Sequence, residues 1–160
     1  MRKELSTSGL YDHTGYWLRR LSNLVHQTFE RALAEHGVTV AQWNVLVAIF
    51  HGDAATPFDL ARFIDIDTGA VTRLVDRLVE KRLLDRCPDP KDRRSIRLVL
   101  TDKGQQLIPQ LVQIADENDR QFFGPLTLEE HQQLKALIST LLAAHGLPMP
   151  SSQRKRELGS

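Results

Sequence analysis

Asp67-Thr68-Gly69-Ala70-Val71-Thr72-Arg73-Leu74-Val75-Asp76-Arg77-Leu78, then Lys81-Arg82-Leu83-Leu84-Asp85-Arg86, then Asp89-Pro90-Lys91-Asp92-Arg93-Arg94, sets a helical pattern, a strand and a basic turn in succession. Val71, Leu74, Val75 and Leu78 recur at three- and four-residue steps, the spacing of one face of a helix, and Asp67 can cap its free amides. After Leu83 the period falls to two. Ile96, Leu98 and Leu100 alternate with Ser95, Arg97 and Val99, and Leu84 to Cys87 supplies a facing strand. Pro88-Asp89-Pro90-Lys91-Asp92-Arg93-Arg94 between them is a turn-forming stretch, so the hairpin carries a basic tip.

Working upstream, Thr56-Pro57-Phe58-Asp59 opens a short helix with a hydroxyl at the cap and proline at the first helical position, and Asp65-Ile66-Asp67 breaks it. Thr39-Val40-Ala41-Gln42 has the form of a capping box, starting an apolar helix through Trp43, Leu46, Val47 and Phe50 that ends at His51-Gly52. A first helix is expected from about Asp12 to Glu35, with Leu18, Leu21, Val25, Phe29 and Leu33 on one side and Gly37 as its stop. Downstream, Thr101-Asp102-Lys103-Gly104 opens a fifth helix carried by Leu107, Leu111 and Ile114, with Pro109 a candidate bend. The capping box Thr127-Leu128-Glu129-Glu130 opens a sixth, showing Leu134, Leu137, Ile138, Leu141 and Leu142 on one side. The expected architecture is mainly α with a small β-hairpin wing: a six-helix winged helix-turn-helix in a single domain over 1–150, with a mobile tail over 148–160.

At 160 residues, 41% hydrophobic and 26% charged, the chain can bury a sizeable core. It contains no apolar run near the roughly 18 residues of a membrane helix, and its start lacks the apolar stretch of a secretory signal, so a cytoplasmic protein with no membrane partner is expected. The single Cys87 excludes an intramolecular disulfide framework and a multi-cysteine zinc site. Net charge is only +1, yet residues 67–97 hold nine Lys/Arg against six acids, an excess of three positive charges, and the remainder is negative by two.

Two short helices joined by a tight turn and followed by a basic hairpin make a device for reading duplex DNA, because the second helix fits a major groove about 12 Å wide. Opposite its apolar face lie Gly69, Arg73, Asp76, Arg77 and Glu80. Thr68, Gly69, Ala70 and Thr72 are small enough to let the backbone approach, and the amides there can accept a phosphate. Arg73 is the candidate guanine contact, since a guanidinium binds the O6/N7 edge with two hydrogen bonds. Lys91, Arg93 and Arg94 complete the DNA-binding set, with Arg93 or Arg94 placed against a minor groove; one of these can instead pair with Asp92 or Asp89 to hold the loop. The plainer alternative makes Arg73 and Arg77 a solvated face paired with Asp76 and Glu80.

These segments, together with Leu100-Thr101-Asp102-Lys103-Gly104, resemble the MarR family of bacterial winged helix-turn-helix regulators over about residues 12–145. The most specific features are the Asp-x-Arg of the wing, here Asp92-Arg93-Arg94, and the Leu-Thr-x-x-Gly that opens the next helix. The resemblance implies a DNA-binding part over about 39–101 and dimerisation helices over about 12–36 and 101–146. It further implies a homodimer reading a pseudo-palindromic duplex, acting as a repressor, with a cleft that takes a small aromatic or phenolic effector. Candidate cleft residues are Tyr11, His13, Tyr16, Trp17, Arg20 and Asp65: aromatic faces would hold a ring and the cation would meet a carboxylate. Aromatic packing at the start of a long helix is the alternative. One branch of the family, responsive to urate or similar purines, uses a tryptophan in its first helix with charged groups nearby, and Trp17 matches that pattern at this one position.

The family's peroxide-sensing branch keeps its cysteine in the first helix, whereas Cys87 lies in the first wing strand, so that role does not carry over. A redox-responsive regulator acting through Cys87, beside Arg86, stands as an alternative, as does a winged-helix module that binds protein. His13, His26, His36, His51, His131 and His145 include no pair at the close spacing of a helical metal site, and no cofactor is expected. An enzyme is not expected: Cys87 has no evident base, and neither a glycine-rich phosphate loop nor a nucleophile elbow is present.

Overall fold

The computed structural model describes residues 7–90 and 95–147. A 3-10 turn, Leu10–Asp12, precedes α1 (Thr14–Ala34), α2 (Val40–His51), α3 (Pro57–Phe63) and α4 (Thr68–Glu80). Strands β1 (Leu84–Pro88) and β2 (Ile96–Leu100) follow, then α5 (Asp102–Phe123) and α6 (Leu128–Ala144). The first helix starts at Thr14, close to the start expected near Asp12, with a separate turn ahead of it. Asp12 turns its carboxylate back to accept the Gly9 N–H at 2.8 Å, and His13 is extended, so the chain makes a separate turn before α1 begins.

Local chemistry sets the other boundaries. Thr39, Thr56, Asp67, Thr101 and Thr127 each accept a backbone N–H from the third residue of the helix that follows, which satisfies donors the helix itself leaves free. At α6 the Thr127 backbone N–H and hydroxyl both donate to Glu130 Oε2, at 2.8 and 3.0 Å, and hold that carboxyl below its ordinary pKa. Glu30 of α1 adds a cap from outside, accepting the Val40 N–H at 2.9 Å and so tying the first helix to the start of the second. Gly52 ends α2 at φ 73°, a left-handed conformation that glycine adopts without steric penalty. Helix α5 runs without interruption through Pro109.

The core forms where α1, α2, α4 and α5 meet the base of the hairpin. Leu33, Val45, Leu46, Leu60, Val71, Leu78, Leu84 and Leu111 are fully buried there. Burying each such side chain stabilises by about 1.5–3 kcal/mol relative to exposure, so this cluster is the main source of fold stability. Phe29 meets Trp43 edge to face at 6.0 Å and locks α1 against α2. The strands pair antiparallel, Leu84 with Leu100 and Pro88 with Ile96, and the Leu98 N–H donates to the Ala55 carbonyl at 2.8 Å, which fastens the wing to the α2–α3 connection.

Not every apolar position faces this core. Ile96 is exposed because the hairpin projects past the helices that cover Leu98, and Phe50 is exposed at the end of α2. Leu18 and Leu21 of α1 are exposed, as are Leu137, Ile138, Leu141 and Leu142 of α6, a helix with no fully buried residue in the described structure. The tail from Pro148 lies outside the described residues.

Candidate nucleic-acid interface

The turn that aims α4 is built by three residues. Ile64 ends α3, Asp65 takes φ 53°, and Asp67 caps the next helix by accepting the Ala70 N–H at 2.9 Å. Val71, Val75 and Leu78 are then buried, and α3 packs against α4. Thr68, Gly69, Thr72, Arg73, Asp76, Arg77 and Glu80 are left exposed, with Ala70 half-buried. One face of α4 is therefore anchored and the other presented.

At the start of α4, the Asp67 carboxylate occupies one of the amides available to a phosphate and leaves Thr68 and Gly69 to offer theirs. The Thr72 hydroxyl donates to the Thr68 carbonyl at 2.9 Å, so its oxygen remains an acceptor only. A Cβ on Gly69 would lie 3.0 Å from the Asp67 carboxylate and 3.7 Å from an Arg73 guanidinium nitrogen. Arg73 thus folds back toward the helix N-terminus, as long helical side chains do, over the space that glycine leaves.

Asp76 does not pair with its helical neighbours. Its carboxylate is taken by Arg86 of β1, an ion pair that links α4 to the wing. The plainer alternative paired Arg73 and Arg77 with Asp76 and Glu80; among the described residues neither arginine makes an ion pair. The Asp76–Arg86 pair had no local signature in the sequence, since ten residues and a change of period separate its members.

In the wing, the Asp89 N–H donates to the Ser95 carbonyl at 2.9 Å and extends the ladder past Pro88. Lys91, Asp92, Arg93 and Arg94 lie outside the described residues. Cys87 is half-buried opposite Arg97, with its thiol 3.6 Å from the Arg97 carbonyl. Among the described residues no three His, Cys, Asp or Glu side chains group as metal ligands. No helix of the described residues is long and apolar enough to cross a membrane.

The aromatic residues at the start of α1 do come together. The rings of Tyr11, Tyr16 and Trp17 lie 5.5–5.7 Å apart, the Trp17 indole donates to the Tyr11 carbonyl at 2.8 Å, and Arg20 both donates to the Tyr16 hydroxyl at 3.2 Å and lies over its ring. His13 sits at the edge of the group, 3.3 Å from the Ser8 hydroxyl. Asp65 is placed apart, in the α3–α4 turn, and no hydrogen bond among the described residues joins it to this group.

The MarR family model matches residues 36–95, the segment from the end of α1 to the start of β2. The multiple antibiotic resistance protein MarR of Escherichia coli is 33% identical over 142 residues, covering 86% of this chain and 98% of that protein. A mutant E. coli MarR complexed with operator DNA is 29% identical with a TM-score of 0.73, covering 80% of this chain and 92% of that one. Bordetella bronchiseptica BpsR, whose DNA binding is regulated by 6-hydroxynicotinic acid, is 26% identical with a TM-score of 0.76, covering 85% of this chain and 97% of that one. With a winged helix-turn-helix that leaves one face of α4 exposed and relatives matched along nearly their whole length, the chain belongs to the MarR family of DNA-binding transcription regulators, which are not enzymes.

Proposed function

We propose that this regulator works as a homodimeric repressor whose two α4 helices enter successive major grooves of a pseudo-palindromic operator. The observation that carries the reading is the outward face of α4: Arg86 engages Asp76, while Arg73 and Arg77 stand exposed without a described ionic partner. Arg73 reads a guanine edge, Arg77 meets a phosphate, and Thr68, Gly69, Ala70 and Thr72 allow close approach. Lys91, Arg93 and Arg94 contact the adjacent minor groove and backbone, in a wing held by Asp92.

Apolar surface left exposed among the described residues supports dimerisation. Leu18, Leu21 and Leu24 of α1 are 42–52% exposed, and Leu137, Ile138, Leu141 and Leu142 of α6 are 37–64% exposed, a density of aliphatic groups that a second copy would bury. The ring cluster of Tyr11, Tyr16 and Trp17, with Arg20 beside it, takes a small aromatic acid that alters DNA binding; the likeness to BpsR supports this choice. Selection from a random duplex pool at about 150 mM salt tests the central claim, because that concentration screens exposed charges beyond roughly 8 Å. A two-fold symmetric motif with half-sites about one turn apart is expected. Absence of any enriched motif, with and without aromatic acids, would overturn it.

A further inference from the structure

The hairpin is fastened to the helices from both of its strands at one level. Arg86 of β1 stands opposite Leu98 of β2 in the register, so the two side chains leave the same face of the ribbon. Leu98 is buried, and its N–H donates to the Ala55 carbonyl at 2.8 Å, which ties β2 to the α2–α3 connection. Arg86 reaches across to Asp76 and ties β1 to the middle of α4. The next cross-strand pair toward the tip, Pro88 and Ile96, is exposed. A ribbon held on one strand can swing about that bond; a second hold on the neighbouring strand, about 4.8 Å away, removes the rotation.

The pair contributes direction rather than strength. Both partners are partly exposed, so water screens their attraction, and the buried cluster holds the fold instead. Asp76 also lies on the presented face of α4, three residues after Arg73 and one before Arg77. Bare, its carboxylate would repel the phosphates those arginines approach; Arg86 offsets that charge. We propose that Arg86 is a positioning residue for DNA recognition: through Asp76 it sets the angle between the wing and the reading helix, and so the discrimination of base pairs that flank those α4 reads. The two elements approach different grooves of one duplex, whose spacing is fixed, so an error in the angle costs contacts on the matched site. Random duplex, held by phosphate attraction alone, tolerates the error. The inference rests on the reading of the chain as an operator-binding dimer.

The test has one part with DNA and one without. On the selected operator and on random duplex, at one salt concentration, Asp76→Asn is expected to tighten random binding and Arg86→Gln to weaken it, because the charge changes are opposite. Both are expected to lower the ratio of matched to random affinity by about fivefold. Exchanging the charges, Asp76→Arg with Arg86→Asp, keeps the parental net charge and is expected to bring the ratio back to within about twofold. In the free full chain, backbone residual dipolar couplings of Leu84 to Cys87 and of Ile96 to Leu100 report the orientation of the hairpin relative to α4. Both single variants are expected to change these couplings and to leave those within α4 as they are. The proposal is overturned if the hairpin couplings of both variants match the parent's, or if neither variant lowers the ratio. An exchange that keeps the parental Tm but not the ratio also overturns it. So does an Arg86→Gln protein that loses matched and random affinity by one factor and flattens the salt slope by about one, which would make Arg86 a DNA backbone contact. Because the couplings need no DNA, a failed operator selection and a wing indifferent to Arg86 are separate results.

Discussion

Replacing Gly104 with alanine tests the joint between the wing and the long helix α5. A Cβ at this position would lie 2.2 Å from the Leu83 carbonyl oxygen and 3.1 Å from a Leu100 methyl, where ordinary contact begins near 3.4 Å. The carbonyl must retreat by about 1 Å. It also accepts the Thr101 N–H at 3.1 Å, and the Thr101 hydroxyl donates to the Arg82 carbonyl at 2.7 Å, so retreat strains the bonds that hold α5 to the end of α4. Overpacking of this kind costs about 1–3 kcal/mol, and a weakened buried hydrogen bond adds about 1. For a chain of this size a loss of about 3 kcal/mol lowers Tm by about 6–12 °C. Gly15→Ala is the control, because nothing lies within 4 Å of its Cβ and alanine is the better helix former by at most about 1 kcal/mol. Thermal unfolding followed by circular dichroism, at one fixed protein concentration, should separate the two variants clearly. A Gly104→Ala protein melting within about 2 °C of the parent would show that the close approach does not constrain the fold.

Arg73→Ala should weaken operator binding and relax base preference at one position by about 1–3 kcal/mol, whereas Arg77→Ala should weaken all sequences alike and flatten the salt dependence; equal effects on matched and mismatched duplexes would refute the assignment of Arg73. Asp76→Asn should change stability by about 0–1 kcal/mol, because its pair with Arg86 is exposed, and should tighten nonspecific DNA binding by removing a negative charge from the reading face; fluorescence anisotropy on random duplex checks this. Leu141→Glu should shift the sedimentation profile toward monomer, since it puts a charge where a second copy would bury an aliphatic group. The Glu130 carboxyl has a lowered pKa in the folded chain, so its contribution to stability is present above the ordinary carboxylate value of 4.5 and is lost as pH falls through the folded value. Glu130→Gln should therefore lose less stability than the parent on acidification, measured by denaturant titration from pH 6 down to about 3.

Local signals in the sequence decided most of the architecture. Thr39, Thr56, Asp67, Thr101 and Thr127 mark helix starts because a side-chain acceptor three residues before a free amide is a short-range interaction, legible wherever the chain later folds. The change from a helical to a two-residue period after Leu83 located the hairpin for the same reason. At α1 the apolar positions from Leu18 to Leu33 marked the helix but not the separate turn before it, which the Gly9 N–H closes by donating to the Asp12 carboxylate.

What joins distant residues was decided by the tertiary structure alone. Periodicity showed an apolar face on α6 but could not say that Leu137, Ile138, Leu141 and Leu142 stay exposed in the described structure. The pairing of Asp76 with Arg86, which removes it as a partner for Arg73 and Arg77, depends on how β1 returns past α4. Lys81 meets Gly37 and Gln42 across separations of 44 and 39 residues, and a cavity forms only where three elements meet. Capping and periodicity act over a few bonds and are written in the order of residues; ion pairs, pockets and uncovered faces depend on the packing of whole elements, and no window of sequence contains them.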